Sequence, residues 1–282
     1  MADPARPAVA ESSAFRKPTA LERLGAGVGR LVPQGALRRG LRAVYRLAVR
    51  VRTGGSVTAR LPGGEAVKLL PEYRFVTWNQ AEYQAFRDSV GPGAVALDVG
   101  ANVGAYTLLL GAWVRPGGRV YAFEPAPEAF GGLSRHVALN GLGGVVTPVR
   151  AAVSARTGTA TLAVDGLSGA NRLDASAAGE RVETVTLDDF CRREGIRPTF
   201  IKIDVEGAEL DVLRGARETI RQGGHGLALF VEMHPTIWGE MGIGAADLQA
   251  ELETQGLRAI PLRDEVDDPW TLEGECLRLV PR

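Results

Sequence analysis

The run Ala96-Leu97-Asp98-Val99-Gly100-Ala101-Asn102-Val103-Gly104-Ala105-Tyr106-Thr107 has three parts. An apolar segment carrying an acid leads into a turn with glycines at Gly100 and Gly104, after which helical spacing begins. In doubly wound α/β folds, ligands sit beyond the carboxyl ends of the strands, at turns of this kind. Glycine permits positive φ and close approach of the backbone there. The spacing is D-x-G-x-x-x-G. It departs from the G-x-G-x-x-G of dinucleotide sites, whose second glycine makes room for a pyrophosphate, and this disfavours a dehydrogenase. Asp98 would repel a phosphate and suits a ligand carrying an ammonium group or another donor.

The next apolar segment ends in Phe123-Glu124-Pro125, with Glu124 placed 26 residues beyond Asp98. A carboxylate at this point of a βαβ unit can accept both hydroxyls of a ribose. Together the two acids call for a ribose-bearing ligand joined to an amino acid, without a pyrophosphate. S-adenosylmethionine meets that description. The plainer reading is that Asp98 caps a helix and Glu124 is a surface acid.

Around these turns, strand-like and helix-like patterns alternate. The apolar periodicity predicts strands at Val95–Val99, Gly118–Phe123, Val145–Val149, Thr199–Asp204, Leu227–Glu232, Leu257–Pro261 and near Cys276–Val280. Helices are predicted at Gly104–Trp113, Pro127–Asn140, Leu187–Glu194, Glu209–Gln222 and Ala245–Gln255. Alternation of this kind implies parallel pairing with helices on both faces. Residues 151–186 interrupt it with short β-like runs, Ala160–Val164 and Val182–Thr186, around a Gly/Ser-rich loop. Upstream lie a hairpin, Ser56–Leu61 and Glu65–Leu70 around Pro62-Gly63-Gly64, and a helix over Trp78–Val90. The expected organisation is a disordered tail over 1–18, a helical and hairpin extension over 19–90, and an α/β domain over 91–282.

Composition narrows the class. The 282 residues are 45% hydrophobic and 23% charged, with no formal net charge, as in a globular chain able to bury its own core. That excludes collagen, coiled coil and wholesale disorder. No apolar run approaches the ~20 residues of a membrane span. The first residues lack the apolar core of a secretory signal. Two cysteines, Cys191 and Cys276, make neither a disulfide framework nor a zinc cluster, so a reducing cytoplasm is expected. Residues 1–52 hold eleven Arg or Lys against three acids, so the remainder is acidic. The basic segment reads either as the solvated face of a helix or as a dock for an acidic carrier protein bearing the substrate. The acidic remainder disfavours nucleic acid as substrate.

A second charged cluster lies in Phe200-Ile201-Lys202-Ile203-Asp204-Val205-Glu206-Gly207-Ala208-Glu209. Lys202, Asp204 and Glu206 share one face if the strand persists. In a strand covered on both sides such charges must pair or reach the cleft at its end. Lys202 is one of three lysines beside thirty arginines. The fifth strand closes in Val231-Glu232-Met233-His234-Pro235, and of the three histidines His234 alone sits at the mouth of a core strand.

With these motifs the sequence resembles the FkbM family of S-adenosylmethionine-dependent methyltransferases. The resemblance rests on DVGANVGAYT (Asp98–Thr107), FEP (Phe123–Pro125), Asn171-Arg172-Leu173, TLDDF (Thr186–Phe190), IKIDVEGAELDVLRGA (Ile201–Ala216) and VEMHP (Val231–Pro235), over roughly residues 72–240. It implies a class I methyltransferase fold: a Rossmann-like, doubly wound α/β architecture whose seven-stranded sheet has a reversed last strand. It also implies that Gly100, Asn102 and Gly104 line the cofactor, that Glu124 holds its ribose, and that the methyl goes to a hydroxyl of a sugar, polyketide or other small metabolite.

An alcohol needs a base within hydrogen-bond reach to become a good nucleophile. His234 is the first candidate, because its ordinary pKa lies near working pH. Asp204 is the second, with Lys202 and Glu206 tuning it. The same charges could instead form a structural ion-pair network. A hard divalent ion on Asp204 and Glu232 is conceivable on ligand chemistry, but no metal site is predicted. A non-catalytic cofactor-binding subunit or sensor is the alternative function. The acceptor pocket falls to Tyr73–Trp78, Gly166–Arg172 and Thr236–Met241.

Overall fold

The computed structural model describes residues 55–164, 171–173, 179–263 and 268–282. The tail, helices and basic segment expected in residues 1–52 lie outside them, as does most of the Gly166–Arg172 loop. The chain divides into two compact units, Met1–Gln80 and Ala81–Arg282. In the first, β1 (Val57–Arg60) and β2 (Ala66–Leu69) pair antiparallel with Val57 opposite Leu69. Gly64, at φ 90°, donates its N–H to the Leu61 carbonyl and closes the hairpin.

The second unit is built on a seven-stranded sheet. Its strands are β3 (Val95–Val99), β4 (Arg119–Phe123), β5 (Val146–Val149), β10 (Phe200–Ile203), β11 (Ala228–Met233), β12 (Leu257–Pro261) and β13 (Glu275–Pro281), in the order β12-β13-β11-β10-β3-β4-β5. The five strands β3, β4, β5, β10 and β11 are parallel to their neighbours among themselves. The last strand, β13, runs antiparallel to both β11 and β12. This is the class I methyltransferase arrangement that the sequence led us to expect. From β3 the chain winds outward through β4 and β5, then returns to β10 on the other side. Carboxyl ends diverge at such a switch point and open a crevice.

The sheet faces differ in what covers them. On one, Leu97, Val99, Ile201, Ile203 and Val231 join a core with Phe190 and Cys191 of α4 (Leu187–Glu194) and with Leu210 and Leu213 of α5 (Glu209–Arg214). The other face presents Ala96 and Asp98 beside Phe200 and Lys202. There Phe86 of α1 (Gln80–Ser89) meets Phe230, Phe200 and Tyr106 edge-on at 4.8, 5.4 and 5.1 Å. Each such pair adds about 1 kcal/mol beyond simple burial. Helix α1, which the sequence pattern grouped with the 19–90 extension, therefore packs on the sheet. Two further helices, α2 (Ala105–Trp113) and α3 (Pro127–Leu139), follow β3 and β4.

The structure departs from the expected elements in three places. The single helix expected over Glu209–Gln222 is two, α5 and α6 (Arg217–Gly223). A Cβ at Gly215 would lie 2.2 Å from the Ser154 carbonyl oxygen, so the chain breaks where another backbone passes. Helix α6 then restarts with the Asp188 carboxylate accepting the N–H groups of Glu218 and Thr219 at 3.1 and 2.7 Å. Residues 152–185 are more than an interruption: β6 (Ala152–Val153), β7 (Gly158–Val164), β8 (Asn171–Leu173) and β9 (Glu180–Val185) form a second sheet in the order β6-β9-β7-β8. A short helix, α7 (Pro235–Glu240), begins directly after His234, with Pro235 in its first turn. Helix α8 (Ala245–Thr254) agrees with the sequence pattern to within a residue. No helix among the described residues is long and apolar enough to cross a membrane.

Candidate active site

At the switch point lies a cleft open to solvent. Its floor is the turn after β3. Gly100 has φ 82°, and a Cβ there would stand 1.6 Å from the Asp204 carbonyl oxygen. The glycine is thus demanded by the neighbouring chain as well as by backbone conformation. Asn102 is left-handed at φ 49°, a conformation asparagine tolerates better than most residues. Its N–H donates to Glu124 Oε2 at 2.8 Å, and the Ala126 N–H donates to Glu124 Oε1 at 2.8 Å. Glu124 is thereby fixed at the tip of β4, 6% exposed. Burial pushes its carboxyl up to about 7, against the pull of those two N–H groups. An ionised carboxylate has about four lone-pair positions, so two remain for hydroxyls in the cleft. Phe123, Ala151, Ala152, Val153 and Leu162 supply apolar wall.

The second part of the site follows β10. The strand ends at Ile203, so Lys202, Asp204 and Glu206 do not share a continuous strand face, as the sequence suggested. Glu206 at φ 51° and Gly207 at φ 101° turn the chain instead. They still converge. Lys202 Nζ lies 2.8 Å from Asp204 Oδ2 and is only 3% exposed. Burial would strip its proton, but the carboxylates of Asp204, Asp98, Glu232 and Glu82 outweigh it and hold the ammonium charged. Asp204 and Glu206 line the cleft.

His234 stands at the end of β11, 5% exposed. Its Nε2 is 3.8 Å from Asp204 Oδ1, 3.7 Å from Glu206 Oε2 and 3.9 Å from Glu232 Oε1. Its Nδ1 is 2.7 Å from Glu209 Oε1. Burial opposes protonation of the imidazole, yet Glu209, by hydrogen bond and charge, and then Asp204 and Glu206 outweigh it. The pKa is pushed up to about 9. Glu232 is pushed up to about 8, by burial and then by Asp204. Asp204, Glu232 and His234 each offer a ligand atom within 4.8 Å of the others, a spacing that a hard divalent ion could bridge.

The structure thus brings Gly100, Asn102, Glu124, Asp204 and Glu206 to one cleft, with His234 and Lys202 just behind its edge. Asp98 and Gly104 lie behind the wall. Asp98 is 1% exposed; its Oδ2 accepts the Thr107 hydroxyl in the first turn of α2, and its Oδ1 has no hydrogen-bond partner among the described residues. Gly104, at φ 92°, starts α2 against Leu133, whose Cδ1 would be 2.7 Å from an added Cβ. The sequence reading gave no role to Glu209, although it is the fourth ionisable residue of its motif. It also passed over Glu82, which is 4% exposed. Burial pushes Glu82 above the ordinary carboxyl range while Lys202 and Tyr106 draw it down. A carboxylate four residues before Phe86, on the apolar stripe of a helix, was the available signal.

A Rossmann-like sheet of this strand order is the class I methyltransferase arrangement. Residues 98–259, more than half of the chain, match the Methyltransferase FkbM domain model, and the chain belongs to that family. The 31-O-demethyl-FK506 methyltransferase FkbM of Streptomyces tacrolimicus is 30% identical over 58% of this chain and 74% of its own length. The hexuronic acid methyltransferase AglP of Haloferax volcanii is 27% identical over 45% of this chain and 52% of its own. The match to methyltransferase sdnD of Sordaria araneosa, 31% identical, covers 60% of that protein. Among solved structures, the methyltransferase FkbM of Methylobacillus flagellatus aligns with a TM-score of 0.44 at 18% identity, over 74% of this chain and 52% of that one.

Proposed function

We propose that this chain is an S-adenosylmethionine-dependent O-methyltransferase acting on a hydroxyl of a small molecule, with His234 as the base. When bound, the cofactor would supply a methyl group held on a sulfonium sulfur, which leaves as a neutral thioether when the carbon–sulfur bond breaks. The turn Gly100–Asn102 and the Glu124 carboxylate would hold its sugar, and the apolar cleft wall suits its base. Asp204 and Glu206, at the cleft edge, attract a cationic group and keep it beside His234. His234 Nε2 takes the proton of the acceptor hydroxyl as the oxygen attacks. The relatives named for a hexuronic acid and for 31-O-demethyl-FK506 support a small-molecule acceptor. Cys191 and Cys276, both buried and unbridged, suit a reducing cytoplasm.

The observation that carries this reading is the position of His234: its Nε2 lies within 4 Å of two carboxylates that line the cleft, and its other nitrogen is held from behind. The test is methyl-labelled cofactor offered with a panel of hydroxylated acceptors. Turnover is expected with the wild-type chain and a loss of about 100-fold in His234→Ala. An unchanged His234→Ala rate removes the base assignment. Chelation is expected to leave the rate intact; a rate lost with EDTA and restored by Mg²⁺ would overturn the metal-free reading.

A further inference from the structure

Glu209 is fully buried and does not line the cleft, and among the described residues His234 is the one basic side chain paired with it. It opens helix α5, and three donors converge on it. The Gly207 N–H reaches Oε1 at 3.0 Å, the Trp238 indole N–H reaches Oε2 at 2.7 Å, and His234 Nδ1 lies 2.7 Å from Oε1. These donors come from three segments: the turn after β10, the end of β11 and helix α7. Since both oxygens already accept N–H groups, the proton on the His234 contact belongs to Nδ1. Once the ring is neutral, that leaves the lone pair on Nε2, the atom directed at Asp204, Glu206 and Glu232.

Burying a carboxylate is costly unless it is paired and hydrogen-bonded. The plain structural role would be to tie α7 to α5 through Trp238. A neutral acceptor would suffice for that. A carboxylate does two things that a neutral acceptor does not: it selects one imidazole tautomer firmly, and it stabilises the imidazolium once a proton has been taken.

We propose that Glu209 is the positioning residue for His234, fixing the Nδ1–H tautomer and supporting the positive charge that appears on the ring during proton transfer. The proposal rests on His234 being the base of the reaction described above. Glu209 acts only through the histidine. The groups facing His234 are Glu209 from α5, Asp204 and Glu206 from the turn after β10, and Glu232 from β11; Glu273 in turn lies near Glu206. All are acids, so removing one leaves the ring still biased toward protonation, but less so.

The test compares wild-type chain with Glu209→Gln and Trp238→Phe. Nitrogen-15 NMR of His234 reads its tautomer and titration directly, without substrate. The wild-type chain should show the Nδ1–H tautomer above its pKa. In Glu209→Gln the tautomers should mix and the pKa should fall toward the ordinary value of about 6.5. The limiting methyl-transfer rate should drop about tenfold, with KM for the cofactor unchanged. Glu209→Asp, which keeps the charge, should restore part of the rate. Trp238→Phe removes a donor and leaves the carboxylate, so it should lower the melting temperature but not the His234 pKa. If Glu209→Gln leaves both tautomer and pKa unaltered, or if Trp238→Phe reproduces its effects on the ring, the proposal falls and Glu209 is structural. Failure of the base reading would show separately, as an undiminished rate in His234→Ala whatever the NMR reports.

Discussion

His234 faces four carboxylates, and its raised pKa makes a definite pH profile. The base form exists above about 9 in the unliganded protein, so kcat/KM should climb with pH up to that region. A cationic ligand in the cleft favours the neutral ring, so the limb for kcat should lie lower. A pH–rate profile that is flat from 6 to 9 would deny the histidine its role. Lys202 sits differently: it is buried, charged and bound to Asp204. Lys202→Met leaves Asp98 and Asp204 without their cation and should cost about 3–5 kcal/mol of stability, read by urea denaturation. A cost below about 1 kcal/mol would show that the cluster is not held together by this ion pair. His234, Asp204 and Glu124 could be read from the sequence because each closes an apolar strand. Glu209 was hidden because its partners, His234 and Trp238, lie more than twenty residues away and only the fold brings them near.

The elements were readable where one pattern governed them. Strand β12 and helix α4 fall on the expected residues because apolar periodicity and flanking breakers coincide there. The break at Gly215 was not readable, since its cause is the Ser154 carbonyl, more than sixty residues earlier. The same contrast can be tested with two glycines. Gly100→Ala forces a Cβ into the Asp204 carbonyl and into an unfavourable φ, so it should cost more than about 4 kcal/mol or prevent folding. Gly131 lies within α3 with nothing within 4 Å of its would-be Cβ. Gly131→Ala should stabilise the chain by about 0.5–1 kcal/mol. Equal effects of the two substitutions, measured by chemical denaturation, would refute the assignment of Gly100 to a tight approach between β3 and β10.

For the molecule as a whole, strand–helix alternation announced parallel pairing, while the seven-stranded sheet with its reversed last strand was implied by the family resemblance. The smaller sheet of β6–β9 was only partly visible, because β6 and β8 are two and three residues long and carry too little periodicity. Three buried or half-buried groups also set a global trend. Glu124, Glu232 and His234 all have pKa values above their ordinary ones, at about 7, 8 and 9. Each group binds protons more tightly in the folded chain, so its contribution is present at low pH and is lost as pH rises through those values. The unliganded chain should therefore be less stable at pH 9 than at pH 6, by an amount on the order of a few kcal/mol. Glu232→Gln should shrink that difference; stability rising over the same range would contradict these shifts. The most direct measurement of all is calorimetric titration of S-adenosylmethionine into wild-type chain, Glu124→Gln and His234→Ala at pH 8. Binding to the wild type, about tenfold weaker in Glu124→Gln and unchanged in His234→Ala, is the expected result. No heat of binding to the wild type, or equal affinity in Glu124→Gln, would contradict a cofactor held at the tips of β3 and β4.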